Sequence, residues 1–436
     1  MNQNFDAVII GAGPAGSSAA ILLASAGWSV ALIEKQSFPR RKVCGECIAA
    51  SNYPLLYSLG IGDAFSASAG SELRKVVLMR GKTKIMAKLP ATQHEGLQFG
   101  RALGRETLDT LLINRAKQVG ATIFQPWSLQ TINGDAGNWN FEIRDENSQS
   151  VSRLHASVAI AANGSWEPLP FERLERRLTR SSADLFAFKA NFCNANLDQH
   201  SLALLSIKGG YGGMVIADEA KATLACCIRR DRLDELRNKS PGISAGEAVE
   251  AMLKRDCLGV KDALHHAVRV DSWLATGPIS PGIRLGSRLG GALDSGKDPK
   301  QGLFRIGNAA GEAHPIIGEG MSMALQSAWL LCAYLLLDKN SQSIQDCTWQ
   351  KEISSKYAAQ WRESFASRLK FAASFAHIMM SPIPASSLFA LLKIWPNMLT
   401  LGAKLSGKVD CEISPMTIES LAPKREMDLH GNQILS

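Results

Sequence analysis

The first 35 residues alternate between two hydrophobic periods, which predicts three consecutive elements. An apolar run at residues 8–10 (VII) is typical of a buried parallel strand. Small apolar residues follow from 17 to 26 and predict a helix, which Gly27 ends. A second apolar run at residues 29–33 predicts another strand, and the order strand, helix, strand is that of a βαβ unit.

The hydrophobic period changes farther along the chain. Apolar and polar residues alternate within residues 76–90 and 184–230, and this period of two predicts strands joined by turns. The sequence therefore predicts further strands in addition to the βαβ unit.

Two later stretches predict helices. Residues 321–337 predict a buried core helix and not a membrane span, because Ser322, Gln326 and Ser327 interrupt an apolar run of borderline length. Residues 341–436 repeat apolar residues at helical spacing and predict a helical tail. Core packing explains this tail, and a lid over a lipophilic substrate or loose membrane association is the alternative.

The turn between the first strand and the first helix carries three glycines at the spacing of a dinucleotide site. Gly11 permits a tight turn, Gly13 lets the backbone approach a pyrophosphate, and Gly16 lets the helix pack close to the strand. The helix amino terminus adds N–H groups and positive dipole for the phosphates. Glu34 ends the second strand, where a carboxylate can accept hydrogen bonds from an adenosine ribose.

Two downstream segments decide between cofactors by resemblance. Residues 304–331 read FRIGNAAGEAHPIIGEGMSMALQSAWLL, with Gly-Asn-Ala-Ala, then a proline, then a glycine pair that opens a helix. Residues 104–123 read GRETLDTLLINRAKQVGATI. Together with the first glycine motif, they resemble the fingerprints of the para-hydroxybenzoate hydroxylase-like and geranylgeranyl reductase-like flavoproteins. The resemblance spans most of residues 1–340 and implies a bound FAD.

The resemblance also implies a fold. It is an α/β fold with a Rossmann-like FAD-binding domain of the glutathione reductase type, an antiparallel β-sheet substrate domain and a helical C-terminal region. The expected boundaries are 1–75, 97–181 and 270–340 for the FAD-binding domain, 76–96 and 182–269 for the substrate domain, and 341–436 for the helical region.

Site residues follow from the same resemblance. His314 and Glu46 are the titratable groups that the motifs place nearest the flavin, so they are the candidate catalytic residues, although a structural role for His314 stays open. Asn308 and Asn163 stand where the family has aspartate, and Asn308 keeps a hydrogen bond to the ribityl chain without the charge. The expected FAD contacts are Gly11, Gly13, Pro14, Ala15, Gly16, Glu34, Lys35, Arg40, Cys44, Gly45, Arg105, Leu129, Gly307, Asn308, Pro315, Gly318, Gly320 and Met321.

The segment CGEC, Cys44 to Cys47, has the spacing of a redox dithiol or a zinc half-site. No second C-x-x-C and no neighbouring histidine complete a tetrahedral metal shell, so no metal site is expected. Residues 38–46 (FPRRKVCGE) resemble a segment of the geranylgeranyl reductase-like branch, which implies that Cys44 lies beside the flavin. A packed or flavin-contacting Cys44 is the favoured interpretation, and an electron-relay thiol is the other.

The chain has 436 residues and a net charge of +8, which favours anionic partners such as a phosphorylated cofactor, an acidic protein or a membrane surface. Its basic residues are dispersed, and the densest cluster, 172–180, also contains glutamates and predicts a solvated helix face, so nucleic acid is not an expected partner. The amino terminus shows no secretory signal, and nine irregularly spaced cysteines fit a reducing cytoplasm. The oligomeric state is not indicated.

Three functions are compatible with these motifs. The first, which is the favoured prediction, is an FAD monooxygenase that hydroxylates or otherwise oxidises an aromatic, polyketide-like or lipophilic small molecule. The second is a geranylgeranyl reductase-like enzyme that saturates carbon–carbon double bonds, which the Cys-Gly-Glu segment and the tail favour. A flavin carrier without catalysis is the third, and a separate substrate sheet argues against it. A halogenase is also disfavoured, because residues 209–218 (GGYGGMVIAD) lack the expected Trp-x-Trp-x-Ile-Pro motif.

The prediction for the electron donor rests on which nucleotide-binding motifs the sequence contains. No second G-x-G-x-x-G is present for a nicotinamide coenzyme. NAD(P)H is therefore expected to bind transiently, and another donor stays open.

Overall fold

The computed structural model describes residues 2–93, 96–172, 181–285, 302–337 and 343–406. Two predictions fall partly outside these residues. They are the charged helix face at 172–180 and the end of the helical tail beyond residue 406.

The strands differ widely in length. They are β1 (Asn2–Ile10), β2 (Val30–Ile33), β3 (Cys47–Ile48), β4 (Lys75–Arg80), β5 (Thr83–Lys88), β6 (Arg101–Ala102), β7 (Thr122–Phe124), β8 (Trp127–Asp135), β9 (Asn138–Asp145), β10 (Val151–Ala161), β11 (Leu185–Cys193), β12 (Ser201–Ile207), β13 (Gly210–Ile216), β14 (Ala222–Arg229), β15 (Val268–Arg269), β16 (Leu274–Ile279), β17 (Gly282–Ile283), β18 (Leu303–Arg305) and β19 (Gly311–Glu312).

The helices connect the sheets and form most of the carboxyl-terminal part. They are α1 (Pro14–Ser25), α2 (Tyr53–Ser58), α3 (Gly62–Ser68), α4 (Arg105–Gln118), α5 (Arg230–Lys239), α6 (Ala245–Asp256), α7 (Leu258–Ala263), α8 (Gly320–Leu337), α9 (Cys347–Met380), α10 (Pro382–Ile394) and α11 (Met398–Leu405).

The first sheet has the strand order β7-β2-β1-β10-β9-β8, and β18 pairs with β10. β1 runs parallel to β2 and β10, so that Ile9 lies between Leu32 and Ile160. All three side chains are fully buried, and they pack into a core shared with α1, α4 and α8. The predicted βαβ unit is therefore the centre of a larger α/β layer.

The second sheet has the order β15-β11-β14-β13-β12-β4-β5, and β16 pairs with β11. Its pairings are antiparallel except for β12 with β4. With the first sheet it confirms the predicted class, an α/β cofactor domain combined with a largely antiparallel sheet. The exact division into domains stays a prediction, and β16 joins the second sheet although the expected boundary put residues 270–340 with the cofactor domain.

Helix α8 is long and apolar enough to cross a membrane, but 78% of it is buried inside the protein, as expected for a core helix. α9 packs against α8 and continues past β12 and β13. At Ser381 the direction of the chain changes by 101° into α10. The helical tail thus covers one end of the second sheet.

Candidate functional site

A cavity of about 680 Å³ lies between the two sheets. Cofactor and ligand sites commonly have about 300–1,000 Å³. The carboxyl ends of β1 and β2 open into it, the position at which α/β sheets bind their ligands. All eighteen predicted cofactor residues except Gly16 border the cavity. Lys35 lies at its exposed rim, 3.6 Å from Glu167, and Leu129 of β8 forms part of its wall.

The two glycine motifs, which lie almost 300 residues apart, are in direct contact. Gly307 has a φ of +58°, and a Cβ placed there would lie 2.9 Å from the Cβ of Ala15. The backbone N–H of Gly307 donates to Ser327 Oγ in α8 at 2.8 Å. Only glycine fits this close approach, which holds the two motifs against each other.

The three glycines of the first turn have different surroundings: two are closely packed, and one faces the cavity. A Cβ at Gly11, which has a φ of +101°, would lie 2.6 Å from the carbonyl oxygen of Ala162. A Cβ at Gly16 would lie 1.8 Å from the carbonyl oxygen of Gly11. At Gly13, by contrast, Arg105 Nη2, at 3.8 Å, is the only atom of the described residues within 4 Å of the added Cβ. Gly11 and Gly16 therefore close the turn, and Gly13 leaves space on the cavity side.

The carboxylate of Glu34 is buried and held by three donors. It accepts hydrogen bonds from the backbone N–H groups of Ala12 and Gln36, each at 2.9 Å, and from Arg40 Nη1 at 2.8 Å. A carboxylate has about four acceptor positions, so one remains for a hydroxyl in the cavity. Glu34 therefore both braces the glycine turn and stays able to bind a ribose.

A basic cluster lies beside Gly13. Arg105 donates to both oxygens of Asp109 at 2.7 Å, and this bidentate contact outweighs burial and raises the pKa of Arg105. Arg40 lies 3.6 Å from the same carboxylate. Burial, together with the charges of Arg40 and Arg105, lowers the pKa of Lys42 to about 8. Three cations thus share one wall with a single buried aspartate.

The second glycine motif ends in a turn that points a helix at the cavity. Gly318 has a φ of +66°, and α8 begins at Gly320, where an added Cβ would meet no atom within 4 Å. The amino end of α8 therefore presents N–H groups and positive dipole next to open space. Asn308 donates from Nδ2 to Ser165 Oγ at 2.8 Å, which fixes the amide at the cavity wall.

Glu46 lies in a buried ion pair that joins the loop after β2 to the second sheet. Its backbone has a φ of +60°, and its carboxylate accepts hydrogen bonds from Lys189 Nζ of β11, Thr223 Oγ1 of β14 and the backbone N–H of Arg105. The side chains of Glu46 and Lys189 are each 1% exposed. This geometry positions the loop after β2 on the second sheet, and the predicted catalytic role of Glu46 stays a prediction.

Comparison with known sequences identifies the family. The pattern of the FAD binding domain matches residues 4–261, more than half of the chain. The chain belongs to this FAD-binding family. Its members among the relatives below include monooxygenases and reductases by name, so this is a family of FAD-dependent oxidoreductases.

Three curated relatives and one solved structure illustrate the similarity. Conditioned medium factor receptor 1 of Dictyostelium discoideum is 24% identical over 78% of the chain and 65% of its own length. Menaquinone reductase of Mycobacterium tuberculosis is 24% identical over 88% of each protein. Squalene monooxygenase of Rattus norvegicus is 22% identical over 74% of the chain, which spans only 53% of that relative. The geranylgeranyl bacteriochlorophyll reductase-like structure from Thermoplasma acidophilum has a TM-score of 0.69 at 18% identity, covering 97% and 96% of the two chains.

The residues that border the cavity fit FAD. Gly13, Gly45 and Gly320 leave space at three places along it, and a Cβ at Gly45 or Gly320 would have no neighbour within 4 Å. The basic cluster lies beside Gly13, where a pyrophosphate would be neutralised. These residues would hold FAD with its phosphates at α1 and its ring towards Gly45 and the start of α8.

Affinity for FAD is expected to decrease as the pH rises through about 8, the pKa of Lys42. Below this pH Lys42 is charged and attracts the pyrophosphate, and above it the free protein loses that charge. Bound phosphates retain the proton, so the dissociation constant should increase by up to about tenfold per pH unit. Titration of the apoprotein with FAD between pH 7 and 9 measures this dependence. Lys42→Met should remove it, and Lys35→Met, at the exposed rim, should keep it.

The two cysteines of CGEC pack in different directions. Cys44 is half-buried against the core of the cofactor domain, and its Sγ accepts a hydrogen bond from the backbone N–H of Glu46 at 3.3 Å. Cys47 also borders the cavity, but its side chain is buried with Leu73 and Ala102 of a separate cluster. Neither cysteine forms a disulfide, and the described residues contain no group of three metal-ligating side chains. The spacing C-x-x-C thus corresponds here to two separately packed thiols.

Cys44→Ser is expected to change the absorbance spectrum or the reduction rate of the bound flavin, because Cys44 lies in the wall beside Gly45 and Arg105. Cys47→Ser should leave both almost unchanged. Stopped-flow reduction of the two variants provides the comparison. Equal loss of flavin reduction in both variants would indicate a dithiol, since thiol–disulfide exchange needs both sulfurs.

His314 does not border the cavity, whereas Tyr211 of β13 does. The Tyr211 hydroxyl lies 3.2 Å from His314 Nδ1, and the two rings meet edge to face at 6.2 Å. Burial lowers the pKa of His314, which favours the neutral ring. Any catalytic effect of His314 would therefore pass through Tyr211. The sequence feature that could have indicated Tyr211 as a site residue is its position among four glycines, residues 209–213. The structure places Gly212 and Gly213 in the cavity wall as well.

Proposed function

We propose that this chain is an FAD-dependent reductase that saturates a carbon–carbon double bond in an apolar, polyisoprenoid small molecule. The observation that carries the substrate class is the cavity wall formed by the second sheet. Among the residues that the structure describes, that wall contains no charged side chain. Its residues are Ala187, Leu202, Leu204, Tyr211, Gly212, Gly213, Met214, Val215, Ala225, Cys226, Cys227 and Ile279. Such a surface favours a hydrocarbon over a polar substrate.

The names of the relatives support a shared substrate chemistry. Squalene and menaquinone both contain polyisoprenoid chains, and the solved structure is described as geranylgeranyl reductase-like. The reductase is matched over 88% of its length and the squalene monooxygenase over 53%. Similarity along the whole chain therefore favours reduction, together with the Cys44-Gly45-Glu46 segment at the flavin side of the cavity.

The residues of the chain would contribute orientation, water exclusion and a proton. A bound, reduced FAD supplies a hydride equivalent to one carbon of the double bond. The apolar wall formed by the second sheet would keep water from the reacting carbons. It would also hold the isoprenoid chain of the substrate against the Cys44–Gly45 side of the cavity. Tyr211, backed by His314, is the polar side chain of that wall placed to deliver the proton to the other carbon.

The test is product analysis with defined substrates. Photoreduced holoprotein is mixed under argon with a polyprenyl quinone or a geranylgeranyl lipid, and the masses of the products are measured by mass spectrometry. Flavin reoxidation with a gain of two hydrogen atoms in the product supports the proposal. Tyr211→Phe should slow that step without lowering FAD content, and the exposed Tyr57→Phe is the matched control. A reduced flavin that no isoprenoid reoxidises would refute the reductase.

Monooxygenation is the second candidate, favoured by the similarity to squalene monooxygenase. The same mixture exposed to ¹⁸O₂ distinguishes the two reactions. A product that contains ¹⁸O would support the monooxygenase and exclude simple saturation. NADH and NADPH are compared as reductants in parallel, because we propose a nicotinamide coenzyme as the transient donor.

A further inference from the structure

Large hydrophobic side chains are exposed together on the carboxyl-terminal helices. Isolated exposed apolar residues are normal, but a contiguous group indicates an interaction surface. The group, called here the tail patch, consists of Met86 (57% exposed), Ile383 (80%), Ile394 (69%), Trp395 (59%), Met398 (42%), Leu401 (55%) and Leu405 (61%).

The tail patch is one surface because its elements are fixed to each other. α10 and α11 both contact β5, which carries Met86. Thr400 Oγ1 of α11 donates to the carbonyl oxygen of Lys88 at 2.7 Å. Arg80 donates to the carbonyl oxygen of Pro382 at 2.9 Å. The inward side of α10 is anchored separately, through buried Phe389 and Leu392. Its outward apolar residues are therefore not needed for packing against the protein.

The charged side chains on the two helices of the tail patch have one sign. No aspartate or glutamate occurs between residues 364 and 406. Exposed Lys393 and Lys404 lie on α10 and α11, and exposed Lys88 borders Met86 on β5. An apolar surface flanked by three lysines is complementary to anionic lipid headgroups above hydrocarbon.

We propose that the tail patch binds the surface of an anionic lipid bilayer. α10 has 13 residues and α11 has 8, whereas a span needs about 20. The two helices would therefore lie in the interface plane. Trp395 would sit at headgroup level, and Lys393 and Lys404 would contact the anionic groups. This surface is separate from the FAD cavity, so the inference does not depend on the reaction that the protein catalyses.

Vesicle flotation of the full-length holoprotein tests the proposal. Vesicles of phosphatidylcholine alone are compared with vesicles that contain phosphatidylglycerol. The wild type should bind the anionic vesicles, and Lys393→Gln/Lys404→Gln should weaken this binding by about tenfold. Ile394→Glu/Leu401→Glu should abolish it at unchanged FAD content. The matched control is Val151→Glu/Val268→Glu, which alters two exposed apolar residues elsewhere and should bind normally.

Three outcomes would overturn the proposal. One is absence of wild-type binding to either vesicle. Another is a chain truncated after Ser406 that binds vesicles when the full chain does not, which would mean that residues 407–436 cover the tail patch. The third is conversion of an oligomer to monomers by Ile394→Glu/Leu401→Glu, with no effect on vesicle binding, which would make the patch a contact between copies of the chain.

Discussion

Replacing Gly13 with valine is expected to abolish FAD binding while leaving the protein folded. The space in front of Gly13 is open, since within the described part of the chain Arg105 Nη2, at 3.8 Å, is the only atom within 4 Å of an added Cβ. The valine Cβ therefore meets no backbone atom of the described residues, and its methyl groups would extend into the place of the pyrophosphate. The affinity for FAD should fall by at least about 100-fold, or about 2.8 kcal/mol.

Equilibrium titration of the apoprotein with FAD gives the affinity, and thermal melting of the apoprotein reports the fold. Ser25→Val is the matched control, because it adds a branched side chain at the exposed far end of the same helix. Gly13→Ala should give an intermediate loss. Wild-type affinity in Gly13→Val would show that the phosphates do not lie at α1.

Glu46→Gln is expected to destabilise the protein by about 3–5 kcal/mol. The change removes the charge that faces Lys189, whose side chain is 1% exposed, and leaves an uncompensated buried ammonium. Denaturant unfolding of the apoprotein measures the loss without a contribution from FAD.

Two further variants separate the buried pair from a general effect. Glu235→Gln interrupts ion pairs with Arg232 and Lys239 on an exposed carboxylate, where water screens the charges, and should destabilise the protein far less than Glu46→Gln. Glu46→Gln combined with Lys189→Met removes both charges and should recover most of the lost stability. If Glu46→Gln proves no more destabilising than Glu235→Gln, the buried Glu46–Lys189 pair does not hold the loop after β2 on the second sheet.

The parts of the fold that sequence predicted are those specified by contiguous segments. The βαβ unit needs only residues 8–34, where apolar runs, glycines and an acid follow each other in order. The buried state of α8 was predictable in the same way, because polar residues interrupt its apolar run. The pairing of β16 with β11 was not, since nothing local in residues 274–279 determines which strand they join.

The site shows the same limit more sharply. Resemblance placed Glu46 near the flavin, but its partners Lys189 and Thr223 lie 143 and 177 positions away. A lysine inside the apolar strand FAFKANF was the available signal, because such a lysine needs a buried acceptor. His314 and Tyr211 are 103 positions apart, so no local pattern linked them. Sequence identified individual residues of the cavity, and only the packing of the two sheets brought them together.

FAD stoichiometry is the most direct test of the cofactor site. The purified full chain is denatured, the released flavin is identified by chromatography, and its amount is compared with the protein concentration. The paired glycine motifs and the cavity between the sheets predict about one non-covalent FAD per chain, and a yellow protein. A folded, colourless protein that takes up no added FAD would contradict the assignment of this cavity to the cofactor.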